Sequence, residues 1–332
     1  MGAYSDHDIF PPGDDPMNDL RARIADLGLD EARRRASSAR ERKLIDLAAE
    51  LMGEENQDLG ITYAGFCMTA LPHRDVKTTS WERANGRCSL LIEAGKVFER
   101  GHWVQCGIPF GSRARLILLF IQTEALRTNS RQISLGRSMY DWLGRLDISI
   151  GGKSYSDVRE QARRLSACQL SFGWSLEDGV EGFTRENIVK GMLLVPPGHG
   201  SPDQPMLWEE RAELTESFFS ALKNNPVSVW APAIRRIHSS SAVMDVYVWL
   251  CYRLSTLSKP QKVSWEALKA QFGPEYREPR QFKWKFTAAL REALTVYPDA
   301  NVAVEASGVT LRPSGPPVPE RKFVAIGGGP TK

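Results

Sequence analysis

Cysteine is scarce and dispersed. Cys67, Cys88, Cys106, Cys168 and Cys251 form no C-x-x-C pair. An odd number in a long chain suits a reducing compartment better than a disulfide framework, so free thiols are expected. Histidine is equally thin: His7, His73, His102, His199 and His238 lie far apart. The paired histidines with which nicking relaxases hold a metal beside a tyrosine nucleophile are therefore missing. Cys88, His102 and Cys106, with Cys67 and His73 upstream, match no standard zinc spacing. They read as core residues, and no metal is expected.

Long apolar runs are also lacking. "LILLFI" at 116–121 and "VYVWLCY" at 246–252 fall far short of the roughly 20 residues a membrane span needs. The opening "MGAYSDHDIFPPGDDP" has no signal-peptide core, and Asp6 stands where a myristoylation motif wants Ser or Thr. No membrane partner is expected, and the location expected is cytoplasmic. Catalytic signatures are missing too. There is no G-x-S-x-G elbow, and Ser220-Ala221-Leu222-Lys223 has S-x-x-K spacing without supporting context. Gly152-Lys153-Ser154 ends like a phosphate-binding loop, yet Asp147 occupies the position of its first glycine. A protein that is not an enzyme and carries no cofactor is expected. A strong net charge is absent as well: +3, with a pI near 8.6, does not by itself announce a polyanion partner.

What is present is a repeated plan. The 332 residues suit about two domains, and the expected fold class is α+β, mainly helical, with two tandem winged helix-turn-helix domains. Residues 1–58 form a partly helical arm with the basic run Arg33-Arg34-Arg35, read as a solvated face or as an arm for nucleic acid or self-association. The first domain spans 59–195. In it "CSLLIEAG" and "HWVQCGIPF" read as strands and "GSRARLILLFIQTEALRT" as an apolar helix. There follow a short strand "RQISL", a helix "GRSMYDWLGRL", a turn, a helix from Ser154 to about Cys168, and a hairpin of "QLSFGW" with "NIVKGMLLV". The Pro/Gly-rich 196–208 is a linker or loop. The second domain, 209–313, repeats the order with "AVMDVYVWLCYRLSTL", "KVSW", "SWEALKAQFG", "PRQFKWKFTAALREALTVY" and the hairpin "NVAVEASGVTLRP". Ile133-Ser134 corresponds to Val263-Ser264, each serine set to cap the next helix, with Gly144 and Gly273 near the helix ends. The tail 314–332 is expected to be disordered.

The third helix of each unit is the candidate reader of a polyanion. In the first, Val158, Ala162 and Leu165 form a core stripe; Ser156, Glu160 and Arg163 point away, flanked by Arg159 and Arg164. Ser154, with Asp157 three residues on, reads as a capping box, and Lys153 with the first N–H groups would address a phosphate. In the second, Phe282, Phe286, Ala289 and Ala293 face the core, while Arg280, Trp284, Thr287 and Arg291 lie opposite, with Lys283 adjacent. From 279 to 291 there are four basic residues and no acidic one, which favours a polyanion. Trp284 on an outer face requires a cover, either DNA or another protein domain. Arg159, Arg163, Arg280 and Arg291 are placed to approach base edges, and Lys153, Arg164, Lys283 and Lys285 to neutralise phosphates.

The segments "GFCMTALPHR" (65–74), "GSRARLILLFIQTEALRT" (111–128), "ISLGRSMYDWLGRLDISIGGKSYSDVREQARRLSAC" (133–168) and "MDVYVWLCYRL" with "VSWEALKAQFG" (244–273) resemble the plasmid-encoded RepA replication initiator family of bacteria. The resemblance covers roughly residues 60–313. It implies a plasmid replication initiator that binds origin repeats in double-stranded DNA, opens nearby duplex and recruits the host initiator and replicative helicase. It also implies a possible homodimer that represses its own promoter. Opening would need no catalytic group if binding bends or unwinds a deformable A·T-rich segment. The alternatives are a winged-helix transcriptional repressor without an initiator role, a protein-interaction module, and a rolling-circle nicking enzyme, which the scattered histidines disfavour.

Overall fold

A computed structural model describes residues 16–318, apart from 86–87, 100, 137, 176–180 and 194–209. The architecture is mixed α+β with twelve helices among the described residues. It opens with three short helices, α1 (Pro16–Leu27), α2 (Leu29–Arg34) and α3 (Ala39–Met52), which close on a small core of Leu20, Ala32, Leu44 and Ile45. The Ser38 hydroxyl accepts from the Glu41 N–H, and the Glu41 carboxylate accepts from the N–H of Ser37, so the start of α3 is capped from both sides. The basic run is engaged within this arm. Arg33 pairs with Asp46 and Asp30, and Arg34 and Arg35 both pair with Glu31.

The chain continues through β1 (Leu59–Tyr63), α4 (Ala64–Met68), β2 (Ser80–Asn85), β3 (Cys88–Glu93), β4 (Lys96–Glu99) and β5 (His102–Gln105). The first repeat of the plan follows: α5 (Gly111–Thr128), β6 (Gln132–Gly136), α6 (Met139–Arg145), α7 (Gly152–Ala167), β7 (Gln169–Ser175), β8 (Glu181–Glu186), β9 (Val189–Leu193) and β10 (Glu210–Leu214). After α8 (Glu216–Asn224), β11 (Pro226–Trp230) and α9 (Ala231–Ile237) comes the second repeat. It consists of α10 (Ser241–Thr256), β12 (Gln261–Ser264), α11 (Trp265–Phe272), α12 (Pro279–Thr295), β13 (Val302–Glu305) and β14 (Gly308–Leu311).

The second repeat forms as its sequence predicts. Ser264 caps α11, its hydroxyl accepting from the Ala267 N–H, and Gly273 ends that helix. β12 pairs with β14, which pairs with β13. Gly308 lies so close to β12 that a Cβ there would stand 2.1 Å from the Val263 carbonyl oxygen, so no other residue fits.

The first repeat departs from expectation in three places. β7 does not form a hairpin with β9. It lies in the sheet β2-β3-β7-β8, while β9 pairs with β10 and β10 with β6. The sheet β6-β10-β9 thus has the strand order of β12-β14-β13, and residues 196–208, which lie outside the described residues, connect two strands of one sheet. Ser134 does not cap α6. β6 runs on to Gly136, whose φ of 117° turns the chain, and the Ser138 hydroxyl accepts from the Asp141 N–H instead. Nor is Ser154 an N-cap, because α7 begins at Gly152 with Gly151 in the cap position. The turn before it is a C-terminal motif of α6. Asp147 adopts φ 53°, its N–H donates to the Gly144 carbonyl (3.1 Å), and the Ile148 N–H donates to the Leu143 carbonyl (2.9 Å). The residue that breaks the phosphate-loop pattern is therefore the residue that stops α6.

The main buried cluster is continuous from Leu47 to Leu311 and takes side chains from both repeats. β1 pairs with β11, and the buried amide of Gln271 on α11 donates to the Met68 carbonyl (3.0 Å). The two leading helices are joined by an ion pair. Arg115 on α5 meets Asp245 on α10 through Nε and Nη2 (2.5 and 2.7 Å), the side chains being 8% and 10% exposed. Arg115 also donates to the carbonyls of Leu71, Pro72 and Gly111, so nearly all of its hydrogen-bonding capacity is met. Beside it the His73 ring lies 2.9 Å from the Ser241 hydroxyl, and burial lowers the His73 pKa against the opposing pull of Asp245.

Candidate nucleic-acid interface

α12 presents its N-terminal half outward. Phe286 is buried against the rings of Trp249, Trp265 and Phe272, and Phe282 against those of Tyr276 and Phe286, which fixes the helix rotation. Arg280, Trp284 and Lys285 are then exposed, Trp284 at 52%. The Lys285 ammonium lies 4.7 Å from the centroid of the Trp284 ring and the Lys283 ammonium 5.2 Å from that of Trp265, stacked as cation–π pairs. Exposed Arg277 precedes the helix, and no carboxylate occurs between Glu278 at its N-cap and Glu292.

The C-terminal half is covered. Thr287 is 3% exposed, against the expectation that it faces outward. Arg291 is half-buried, and burial lowers its pKa, helped by the charge of Arg40. The arm supplies the cover: Lys43 on α3 pairs with Glu292 (2.7 Å), and α1 and α3 both pack on α12. A helical wheel sees only a helix's own unit, so it could not anticipate a second layer from the arm. The arm also brings a residue that sequence reasoning missed. The exposed guanidinium of Arg40 stands 5.9 Å from the Trp284 ring centroid.

α7 repeats this division. Val158, Ala162 and Leu165 are buried as predicted, and Lys153 and Ser156 are exposed in the first turns, with Ser154 and Arg159 half-buried. Further along, the two arginines expected in a groove are anchors of the fold. Arg163, whose side chain is 19% exposed, pairs with Glu99 (3.2 Å) and donates to the Cys106 sulfur (3.2 Å). Arg164 donates to Glu160 (2.7 Å), to Asp75 (3.2 Å) and to the Ile108 carbonyl (3.0 Å), and its guanidinium lies 5.1 Å from the Phe110 ring centroid. The Arg164 hydrogen bond is the main reason the Asp75 carboxyl sits at about 2, below the ordinary carboxylate range. Glu160 lies on the same helix, but Asp75, Glu99, Cys106 and Ile108 lie outside it, and nothing in the helix period points to them.

The surface that remains is therefore the N-terminal half of each third helix: Lys153, Ser156 and part of Arg159 on α7, and Arg280, Lys283, Trp284 and Lys285 on α12, joined by Arg40. The N-terminal end of a helix offers backbone N–H groups, and these side chains offer positive charge, to a phosphate backbone. The five cysteines are free, four of them buried, and burial pushes the Cys168 thiol up to about 12. No group of three or more His, Cys, Asp or Glu side chains able to hold a metal occurs among the described residues, and none of their helices is long and apolar enough to cross a membrane.

Residues 108–267 match the family described as plasmid encoded RepA protein. The matched span runs from just before α5 into α11, so it includes α7 and excludes α12. The chain also has a distant similarity to two solved structures of domains 2 and 3 of RctB. The selenomethionine derivative has 13% identity and a TM-score of 0.46, over 74% of this chain and 94% of that one. The second has 13% identity and a TM-score of 0.43, over 74% and 93%. No curated protein matches the sequence.

Proposed function

From the membership of residues 108–267 in the plasmid-encoded RepA family, we infer that this protein initiates plasmid replication in the bacterial cytoplasm by binding repeated sites in double-stranded origin DNA. The observation that carries the DNA reading is the outward N-terminal half of α12, where Arg280, Lys283, Trp284 and Lys285 gather without an intervening carboxylate. Each repeat is a winged helix-turn-helix: α5, β6, α6, α7 and the wing β9–β10 in the first; α10, β12, α11, α12 and the wing β13–β14 in the second. In such units the third helix enters the major groove and its N-terminal residues reach base edges.

Arg280 is the side chain best placed for a forked contact with guanine, and Lys153, Lys283, Lys285 and Arg40 neutralise phosphates. With one head in each of two successive grooves, the footprint is on the order of 20 base pairs. Opening follows from deformation of an A·T-rich neighbour and requires no catalytic residue, so the protein acts without being an enzyme. Recruitment of the host initiator and helicase, and repression of its own promoter as a homodimer, belong to the same reading. Footprinting on the DNA flanking the gene tests it: repeated protected sites of two helical turns are expected, and a one-turn footprint refutes the two-headed reader. Supplying the gene in trans to a plasmid carrying only the origin separates an initiator, which maintains the plasmid, from a repressor, which does not.

A further inference from the structure

The ribbon β4–β5 carries a feature that duplex reading leaves unused. Phe98 and Trp103 are directly opposed in its register, 62% and 66% exposed, with ring centroids 5.5 Å apart in an edge-to-face pair. Alternation along the two strands puts Lys96, Phe98, Trp103 and Gln105 on one face and Val97, Glu99, His102 and Val104 on the other. The second face turns toward α7, where Glu99 pairs with Arg163. Among the described residues of the ribbon, the first face looks into solvent with one cation, Lys96, and no carboxylate.

The ribbon is held firmly. The Cys106 N–H donates to the Gly95 carbonyl (2.9 Å), the Gln105 amide donates to the carbonyls of Ala94 and Gly95, and Gly101 takes φ 81° at the tip. At its base, Gly95 presses so closely on α7 that a Cβ would lie 1.9 Å from the Ala167 carbonyl oxygen. Two large rings are thus kept in water on a rigid mount beside the first third helix, which is costly unless something covers them.

We propose that this face is a stacking platform for single-stranded DNA, with unpaired bases covering Phe98 and Trp103 and Lys96 meeting an adjacent phosphate. Two observations choose this occupant over a protein. The patch is two side chains, 62% and 66% exposed with centroids 5.5 Å apart; at no more than about 250 Å² for each ring it falls below the roughly 800 Å² per partner that a stable protein interface buries, and it suits one or two bases. The face also combines flat rings with a lone positive charge and has no aliphatic side chain, which is the composition that binds bases by their π-faces and the backbone by charge. The platform extends the duplex reading without depending on it, because the groove-facing residues and the platform lie on different elements.

The test uses the full chain and fluorescence anisotropy with two labelled probes, an oligo(dT) 20-mer and a 30-base-pair duplex, at one fixed salt concentration. The wild type binds the 20-mer. The double variant Phe98→Ala/Trp103→Ala binds it at least tenfold more weakly, whereas Trp103→Phe, which keeps a flat ring, retains most of the affinity, and neither variant shifts duplex affinity or the far-ultraviolet circular dichroism. A wild type that ignores the 20-mer, or an unchanged affinity in the double variant, overturns the platform. So does a concentration-dependent dimer in sedimentation that the double variant dissolves, since the cover would then be a second copy. Failure on the duplex with retention on the 20-mer sinks the two-headed reader and leaves the platform standing.

Discussion

The arginines of this protein sit in two kinds of surroundings. Arg164 is surrounded by Asp75, Glu160 and the Ile108 carbonyl, whereas α12 between Arg280 and Lys285 has no carboxylate of its own. Arg280→Ala should weaken binding to the preferred site by about 1–3 kcal/mol and relax the preference at one base pair, and Lys285→Ala should weaken all sequences alike and reduce the salt slope by about one; titrations at several salt concentrations check both. Arg164→Ala should instead lower the melting temperature while leaving the salt slope intact. Its partner gives a signature in acid. The Asp75 carboxyl lies at about 2 in the fold, below the value of roughly 3.9 in an unfolded chain. The stability it contributes is present above about pH 4 and is lost as pH falls toward about 2. In Arg164→Ala that part of the acid limb of the melting curve should flatten. His73 works in the opposite range: burial lowers its pKa, so the unfolded chain takes up the proton first and stability falls as pH drops below about 6.5.

At the scale of elements, much was legible and the failures have physical causes. The apolar run of α5 matches its predicted limits, Gly111–Thr128, because a long amphipathic stretch ends in an abrupt loss of periodicity. Likewise the hairpin β13–β14 is announced by alternation around Ser307-Gly308. The pairing of β7 was not legible. Its true neighbours are β3 "CSLLIE", far back in the chain, and the polar strand β8 "EGFTRE", and register across long sequence separation leaves no local trace. The groove residues divide in the same way: the core stripes of α7 and α12 were readable, while the burial of Thr287 and the anchoring of Arg163 and Arg164 come from other elements. The arm is the instructive case. Its conspicuous basic run pairs internally, and its contribution to the reader is Arg40 beside Trp284. Arg40→Ala should therefore reduce the salt slope of duplex binding by about one, and Arg34→Ala should leave it unchanged.

At the scale of the whole molecule, the clamp between Arg115 and Asp245 joins α5 to α10, the leading helices of the two repeats, and fixes one against the other. Asp245→Ala leaves a buried guanidinium without its counter-charge, and denaturant titration should report a loss of about 3–5 kcal/mol. A fixed orientation also means a fixed reach along DNA, so inserting about half a helical turn, roughly 5 base pairs, between the half-sites should abolish binding of both heads at once.

The pairing of β9 with β10 has one more consequence. Residues 194–209 join these two strands in sequence, and described residues on both sides of them contribute to one buried cluster. A protease site engineered there should yield two fragments that separate in denaturing gels yet elute from a sizing column as a single particle.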